Sequence, residues 1–125
     1  MTKKFVCDCN RSMPLDAKEL GLPIHTALCR QEVGQFLNAL NEPEAIVVAC
    51  TQERALFSEL ATQAEKPLMA PLKFVNIREL AGWTQEADKS TPKIKALLAL
   101  SDLSEPDAVP VVEYRSEGRV LVIGP

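Results

Sequence analysis

Four cysteines carry most of the chemistry this sequence suggests. Cys7, Cys9, Cys29 and Cys50 fall in the first two fifths of the 125-residue chain, each at or just past the end of a run that reads as a β-strand. In an open parallel α/β sheet the carboxyl ends of the strands share one edge, and ligands bind there. The four sulfurs are therefore expected to converge on a metal-binding edge. Cys7-Asp8-Cys9 presents two thiolates to one side of an extended segment, about 6–7 Å apart by strand rise. Cys29 and Cys50 each precede a helical stretch, where unpaired amide N–H groups and the positive end of the helix dipole stabilise negative sulfur. An iron–sulfur cluster on four thiolates is anionic and tuned by such donors, so the positions suit it. The spacing is neither the C-x₂-C-x₂-C of bacterial ferredoxins nor the paired C-x₂-C of zinc ribbons, and zinc also accepts four cysteines. A plainer alternative makes Cys29 and Cys50 small buried hydrophobes, with only the Cys7/Cys9 pair special.

The elements that must position these sulfurs alternate between strand and helix. Lys3–Cys7 reads as a strand, Asn10–Pro14 as a loop, and Asp16–Leu20 as a short helical turn stopped by Gly21 and Pro23. Ile24–Leu28 is extended up to Cys29, after which Val33, Phe36, Leu37 and Leu40 form an amphipathic stripe. Ala45–Ala49 is a continuous apolar run, as expected of a strand buried on both faces. Cys50 ends it, and Thr51 can cap a helix carrying Leu56, Phe57, Leu60, Ala61 and Ala64 on one face. A loop over Glu65–Pro71 leads to a fourth strand, Leu72–Ile77, and Ser90-Thr91-Pro92 opens a helix through Ile94, Leu97 and Leu98. The pattern predicts an α/β, Rossmann-like three-layer domain over residues 1–103, with a mostly parallel sheet of four or five strands and right-handed crossovers. Residues 104–125 read as a linker followed by either a closing hairpin or, the favoured expectation, Val120–Gly124 as the first strand of a following domain.

Composition narrows the function classes. A chain of this length buries enough surface to fold without disulfides. A net charge of −3 leaves no basic excess for a phosphate backbone, so nucleic acid is not an expected partner. The amino terminus lacks a signal-peptide core and no apolar run approaches a membrane span, which predicts a cytoplasmic protein whose clustered cysteines are ligands or redox groups rather than bridges.

Phe5-Val6-Cys7-Asp8-Cys9-Asn10, the isolated Cys29, Ile46-Val47-Val48-Ala49-Cys50-Thr51-Gln52-Glu53-Arg54, and Asn76-Ile77-Arg78-Glu79 followed by Trp83, Thr91 and Lys93 together resemble the amino-terminal domain of the flavin-binding subunit of heterodisulfide reductase and its bacterial iron–sulfur relatives. The similarity runs in order from residue 5 to about residue 100. It implies a Rossmann-like domain whose four cysteines hold a [4Fe–4S] cluster, attached to a larger electron-transfer protein. The sequence departs from the family pattern at Asn10, at Arg30 and at Val122-Ile123-Gly124-Pro125, where the family has a glycine-rich flavin-binding turn. Proline lacks the amide such a turn presents to a pyrophosphate. Ferredoxin-type domains of the same polypeptide are thus the first expectation and a flavin-binding domain the second, with a separate redox partner protein.

Arg78 and Asn76, at the end of the fourth strand, are expected at the same edge as the sulfurs and are the candidate cofactor-binding residues. The simpler reading makes Arg78 and Glu79 a solvated ion pair and Trp83 packing. His25, the only histidine, reads as an ordinary residue, which excludes a two-histidine Rieske centre within one chain. Asp8 is expected to point to solvent, Glu32, Glu53 and Arg54 to be first-turn helix charges, and Ser12 and Ser101 to lack a catalytic base. The resulting expectation is a [4Fe–4S] electron-transfer module of the ferredoxin kind, with Cys7, Cys9, Cys29 and Cys50 as ligands. A thiol-redox or sulfur-transfer domain and a Cys₄ zinc or metal-free interaction domain are the alternatives.

Overall fold

The structure, a computed structural model, describes residues 2–65, 68, 70–104 and 107–125. Its strands are β1 (Thr2–Cys7), β2 (Ile24–His25), β3 (Ala45–Ala49) and β4 (Lys73–Phe74). Its α-helices are α1 (Ala17–Leu20), α2 (Val33–Ala39), α3 (Arg54–Thr62) and α4 (Thr91–Leu100). All strand pairs are parallel and the order is β2-β1-β3-β4, an α/β architecture compatible with the Rossmann-like expectation.

Side-chain alternation divides the core between the two sheet faces. Phe5, Cys7, Ile46 and Val48 pack with Leu28, Phe36 of α2 and Phe57 of α3. The Phe36 and Phe57 rings meet edge-on at 4.8 Å between centroids. Val6, Val47 and Ala49 pack instead with Met13, Ile77, Ala81 and, from α4, Ile94 and Leu98. Burial on both faces explains why β3 is apolar throughout rather than alternating. Each fully buried Phe, Ile or Val contributes about 1.5–3 kcal/mol of transfer free energy.

The outer strands are shorter than their apolar runs suggest, because side chains compete for the backbone donors. Beyond His25, the amides of Thr26 and Ala27 each donate to Glu32 Oε2 at 2.7 Å instead of extending the ladder towards Leu28. Beyond Phe74, Val75 N still donates to Val48 O at 3.0 Å, but Asn76 Oδ1 then accepts from Glu79 N and the chain turns into a π-helical turn, Arg78–Gly82. Neither that turn nor a 3₁₀ turn at Ala87–Lys89 follows from the apolar pattern.

Helix boundaries follow the capping rules in part. Asp16 Oδ1 accepts from the Lys18 and Glu19 amides, and Gly21 at φ 68° ends α1 as expected. Thr51 does not cap α3: the helix starts at Arg54, after Glu53, and has no side-chain cap bond. Ser90 precedes α4, but its hydroxyl donates back to Ala87 O at 2.6 Å. Part of the predicted Glu65–Pro71 loop lies outside the described residues. Among the described residues of 104–125 there is no strand, so neither the closing hairpin nor a strand at Val120–Gly124 is present. Val109, Val111, Val112, Tyr114 and Val120–Ile123 are exposed, without the ladder partners that a β-branched run needs to become a strand.

Candidate metal centre

In the order β2-β1-β3-β4 the chain leaves β1 towards one side and returns through β3 on the other, so the topological switch point lies between β1 and β3. Cys7 is the last residue of β1 and Cys50 the first after β3, one on each side of that point. Cys9 follows in the loop after β1, and Cys29 lies in the turns between β2 and α2. All four are free thiols; Cys7 is buried and the others half-buried.

The thiols sense one another in sequence. Burial pushes the Cys7 thiol up, the backbone amides of Leu28 and Cys9 oppose the shift, and the charges of Asp8 and Cys29 add to it. Burial also pushes Cys29 up, followed by the charges of Glu53 and Cys50. Cys29 is therefore the electrostatic neighbour of both Cys7 and Cys50.

Cys9 has a different environment. Cys9, Asn10 and Arg11 all adopt left-handed backbone, at φ 55°, 59° and 61°. For non-glycine residues this costs roughly 1–2 kcal/mol each. Asp8 holds the turn: its Oδ1 accepts from Arg11 N at 2.8 Å, and its carbonyl accepts from Ser12 N and Met13 N, both at 3.1 Å. Asn10 N donates to Thr26 O at 2.7 Å, tying this loop to the one that carries Cys29. The expectation that Asp8 points to solvent is thus corrected; a short carboxylate beside a turn accepts the turn's own amides.

Arg78 closes the site from the π-helical turn. Its Nη1 donates to Cys9 Sγ at 3.5 Å and its Nη2 to Gln52 Oε1 at 2.7 Å, while Nε donates to Glu79 Oε1 at 2.7 Å. The guanidinium lies 4.2 Å from the centroid of the Trp83 ring, whose Nε1 donates to Ser12 Oγ at 2.9 Å. Contact with Cys9, then with Glu79, holds Arg78 even more firmly protonated, and Arg78 in turn holds the Glu79 carboxyl below its ordinary range. Arg78 therefore meets Glu79 as the simpler reading has it, and meets a sulfur as well. Asn76 contacts no cysteine through the bonds of its side chain; it caps the turn that delivers Arg78.

Sequence reasoning missed three contributors. Glu32 is more than a helix charge: its carboxylate accepts from the amides of Thr26 and Ala27 and from His25 Nδ1 at 3.1 Å, fixing the turn that leads to Cys29. His25 is buried with its ring 5.5 Å from that of Phe5, so it packs and positions Glu32. Gly82 has no room for a Cβ, which would lie 2.1 Å from Met13 Sδ; this close approach seats the π-helical turn on the Cys9 loop. A carboxylate three residues beyond Cys29, just before a helical stripe, was the one signal that could have indicated the Glu32 bonds.

The donor chemistry suits a thiolate-ligated group: soft sulfur ligands, amides directed at Cys7 and a cation on Cys9. Four thiolates on a four-iron cluster each take a separate iron and stand farther apart than four on one zinc ion. Among the described residues no three His, Cys, Asp or Glu side chains are gathered as tightly as a single metal ion requires. Compared with known proteins, the chain matches no family model, no curated protein and no solved structure.

Proposed function

We propose that this domain is an electron-transfer module in which Cys7, Cys9, Cys29 and Cys50 hold a [4Fe–4S] cluster, part of a larger iron–sulfur oxidoreductase and without substrate chemistry of its own. The observation that carries this reading is the arrival of four thiols, from the ends of three parallel strands, at the switch-point edge of the sheet, with a guanidinium against one of them. The resemblance of residues 5 to about 100 to the heterodisulfide reductase domain supports it. Such a cluster takes up and releases one electron at a time.

The chain's own groups have definite parts in that chemistry. The amides of Leu28 and Cys9 stabilise negative sulfur at Cys7, Arg78 does so at Cys9, and the packing of Leu28 and Phe5 around Cys7 keeps water from that side. Further ferredoxin-type domains, or in second place a flavin-binding one, would exchange electrons with it, as would a redox partner protein in the cytoplasm. No described helix is long and apolar enough to cross a membrane.

A nucleophilic thiol needs a depressed pKa, whereas burial pushes Cys7 and Cys29 up. A thiol-redox activity would therefore fall to Cys9. Metal analysis of anaerobically purified protein separates the readings. Iron and acid-labile sulfide in equal amounts are expected, and each Cys→Ser variant should lose or convert the visible charge-transfer absorption. Full iron content in Cys29→Ser or Cys50→Ser overturns the four-ligand site. Stoichiometric zinc points to a Cys₄ structural site, and reactive thiols with neither metal point to thiol chemistry.

A further inference from the structure

Arg78 has more partners than an incidental surface cation. Its guanidinium is layered between the Trp83 indole and the Cys9 sulfur, and the same group reaches Gln52, two residues beyond Cys50. Trp83 is itself tied to Ser12, at the far end of the left-handed loop that begins at Cys9. The π-helical turn puts both side chains on this edge: Trp83 N donates to Arg78 O at 2.8 Å, five residues back, as in a π-helix. Asn76 caps the turn and Gly82 seats it against Met13.

We infer that Arg78 is a positioning residue that clasps the Cys9 loop to the Cys50 loop and, resting on the proposed cluster, sets its reduction potential. A planar guanidinium can do this where an ammonium cannot, because its separate N–H vectors serve Cys9, Gln52 and Glu79 at once while its face stacks on an indole. Its side chain is only 15 % exposed, which limits solvent screening of the charge at the sulfur. A cation beside a ligating thiolate favours the more negative, reduced state and raises the potential. The layered geometry also fixes the rotamer of Cys9 before any ligand arrives, which lowers the ordering cost of binding.

Two measurements test the clasp, one of which needs no metal. Trp83 is the only tryptophan, so its emission and its access to a neutral quencher report on this layer alone. In metal-free protein, Arg78→Ala should redden the emission and raise quencher access. Arg78→Lys should do so as well, because an ammonium keeps the charge without the planar stack. In the iron-loaded protein Arg78→Ala and Arg78→Gln should lower the midpoint potential, with iron content unchanged. About a tenfold change in the reduction equilibrium corresponds to 59 mV for one electron. Arg78→Lys should recover most of that shift, a rescue of charge without rescue of stacking. If Arg78→Ala does not unfold cooperatively, the Gln and Lys variants carry the comparison. Unchanged Trp83 accessibility in every metal-free variant overturns the clasp, and an unchanged or raised potential in Arg78→Gln at full iron content overturns the tuning. Wild-type protein that takes up no iron overturns the cluster reading instead, and the metal-free measurement then decides the clasp alone.

Discussion

The loops that carry Cys9 and Cys29 lie side by side, and each is pinned by one carboxylate, but the two are built to different standards. Around Cys29, Glu32 accepts two backbone amides at 2.7 Å and a buried histidine in ordinary backbone conformation. Around Cys9, Asp8 accepts the Arg11 amide at 2.8 Å and a longer bond of 3.4 Å from Thr26 Oγ1, while three successive residues stay left-handed. The first loop is held by its own local chemistry. The second also relies on a distant element, the Arg78–Trp83 layer. One edge of a sheet thus combines a rigid thiol pair, Cys7 and Cys29, with a thiol whose setting depends on a removable clasp.

The largest test of that contrast is to remove the carboxylates one at a time. Glu32→Ala leaves the Thr26 and Ala27 amides without acceptors in a partly buried setting and takes the partner from His25; a loss of about 2–4 kcal/mol is expected from urea unfolding followed by Trp83 fluorescence. Asp8→Ala removes one strong amide acceptor in an exposed loop, and about 1–2 kcal/mol should be lost. Equal losses in the two variants would erase the distinction between the loops.

Acid should act on the Glu32 side in a definite direction. The Ala27 amide, then His25 and the Thr26 amide, hold the Glu32 carboxyl below its ordinary value of 4.5 in the folded protein. A carboxyl whose folded pKa is depressed binds fewer protons folded than unfolded, so its contribution is complete above the unfolded pKa and is lost as the pH falls through the folded one. The stability gap between wild type and Glu32→Gln should therefore be constant near neutrality and begin to narrow below about pH 4.5–5. A gap that widens on acidification would mean that the carboxylate is not held by these amides.

How far the sequence revealed this arrangement depended on whether local or distant chemistry decides it. β3 was legible residue by residue, Ala45–Ala49, because burial on both faces leaves an unbroken apolar run. The placing of the four cysteines at strand ends along one edge was legible too, since it follows from the strand pattern alone. The ends of β2 and β4 were not, because Glu32 and Asn76 withdraw amides that an apolar run by itself would assign to a ladder. A π-helical turn has no hydrophobic period to betray it, so the approach of Arg78 to Gln52 and Trp83 could not be read, although the place of Arg78 at this edge could. In residues 107–125 the β-branched runs suggested strands, yet strand propensity acts only through cross-strand neighbours, and there are none.

The smallest effect should come from relieving the backbone of the Cys9 loop, and its sign carries the information. Arg11 is exposed, at φ 61°, and its amide bond to Asp8 Oδ1 does not depend on its side chain. Glycine reaches that conformation without the Cβ penalty of about 1–2 kcal/mol, but it has more backbone freedom to lose on folding, about 0.5–1 kcal/mol. The net expectation for Arg11→Gly is a gain of about 0.5–1 kcal/mol. Arg30→Gly, next to Cys29 where no positive φ occurs, should instead be neutral or lose a few tenths of a kcal/mol. The two substitutions delete the same exposed guanidinium beside a candidate ligand, so general charge effects largely cancel between them. A stabilising Arg11→Gly paired with a non-stabilising Arg30→Gly would locate the backbone strain in the Cys9 loop, and stabilisation at both positions, or at neither, would show that the two loops carry no difference in strain.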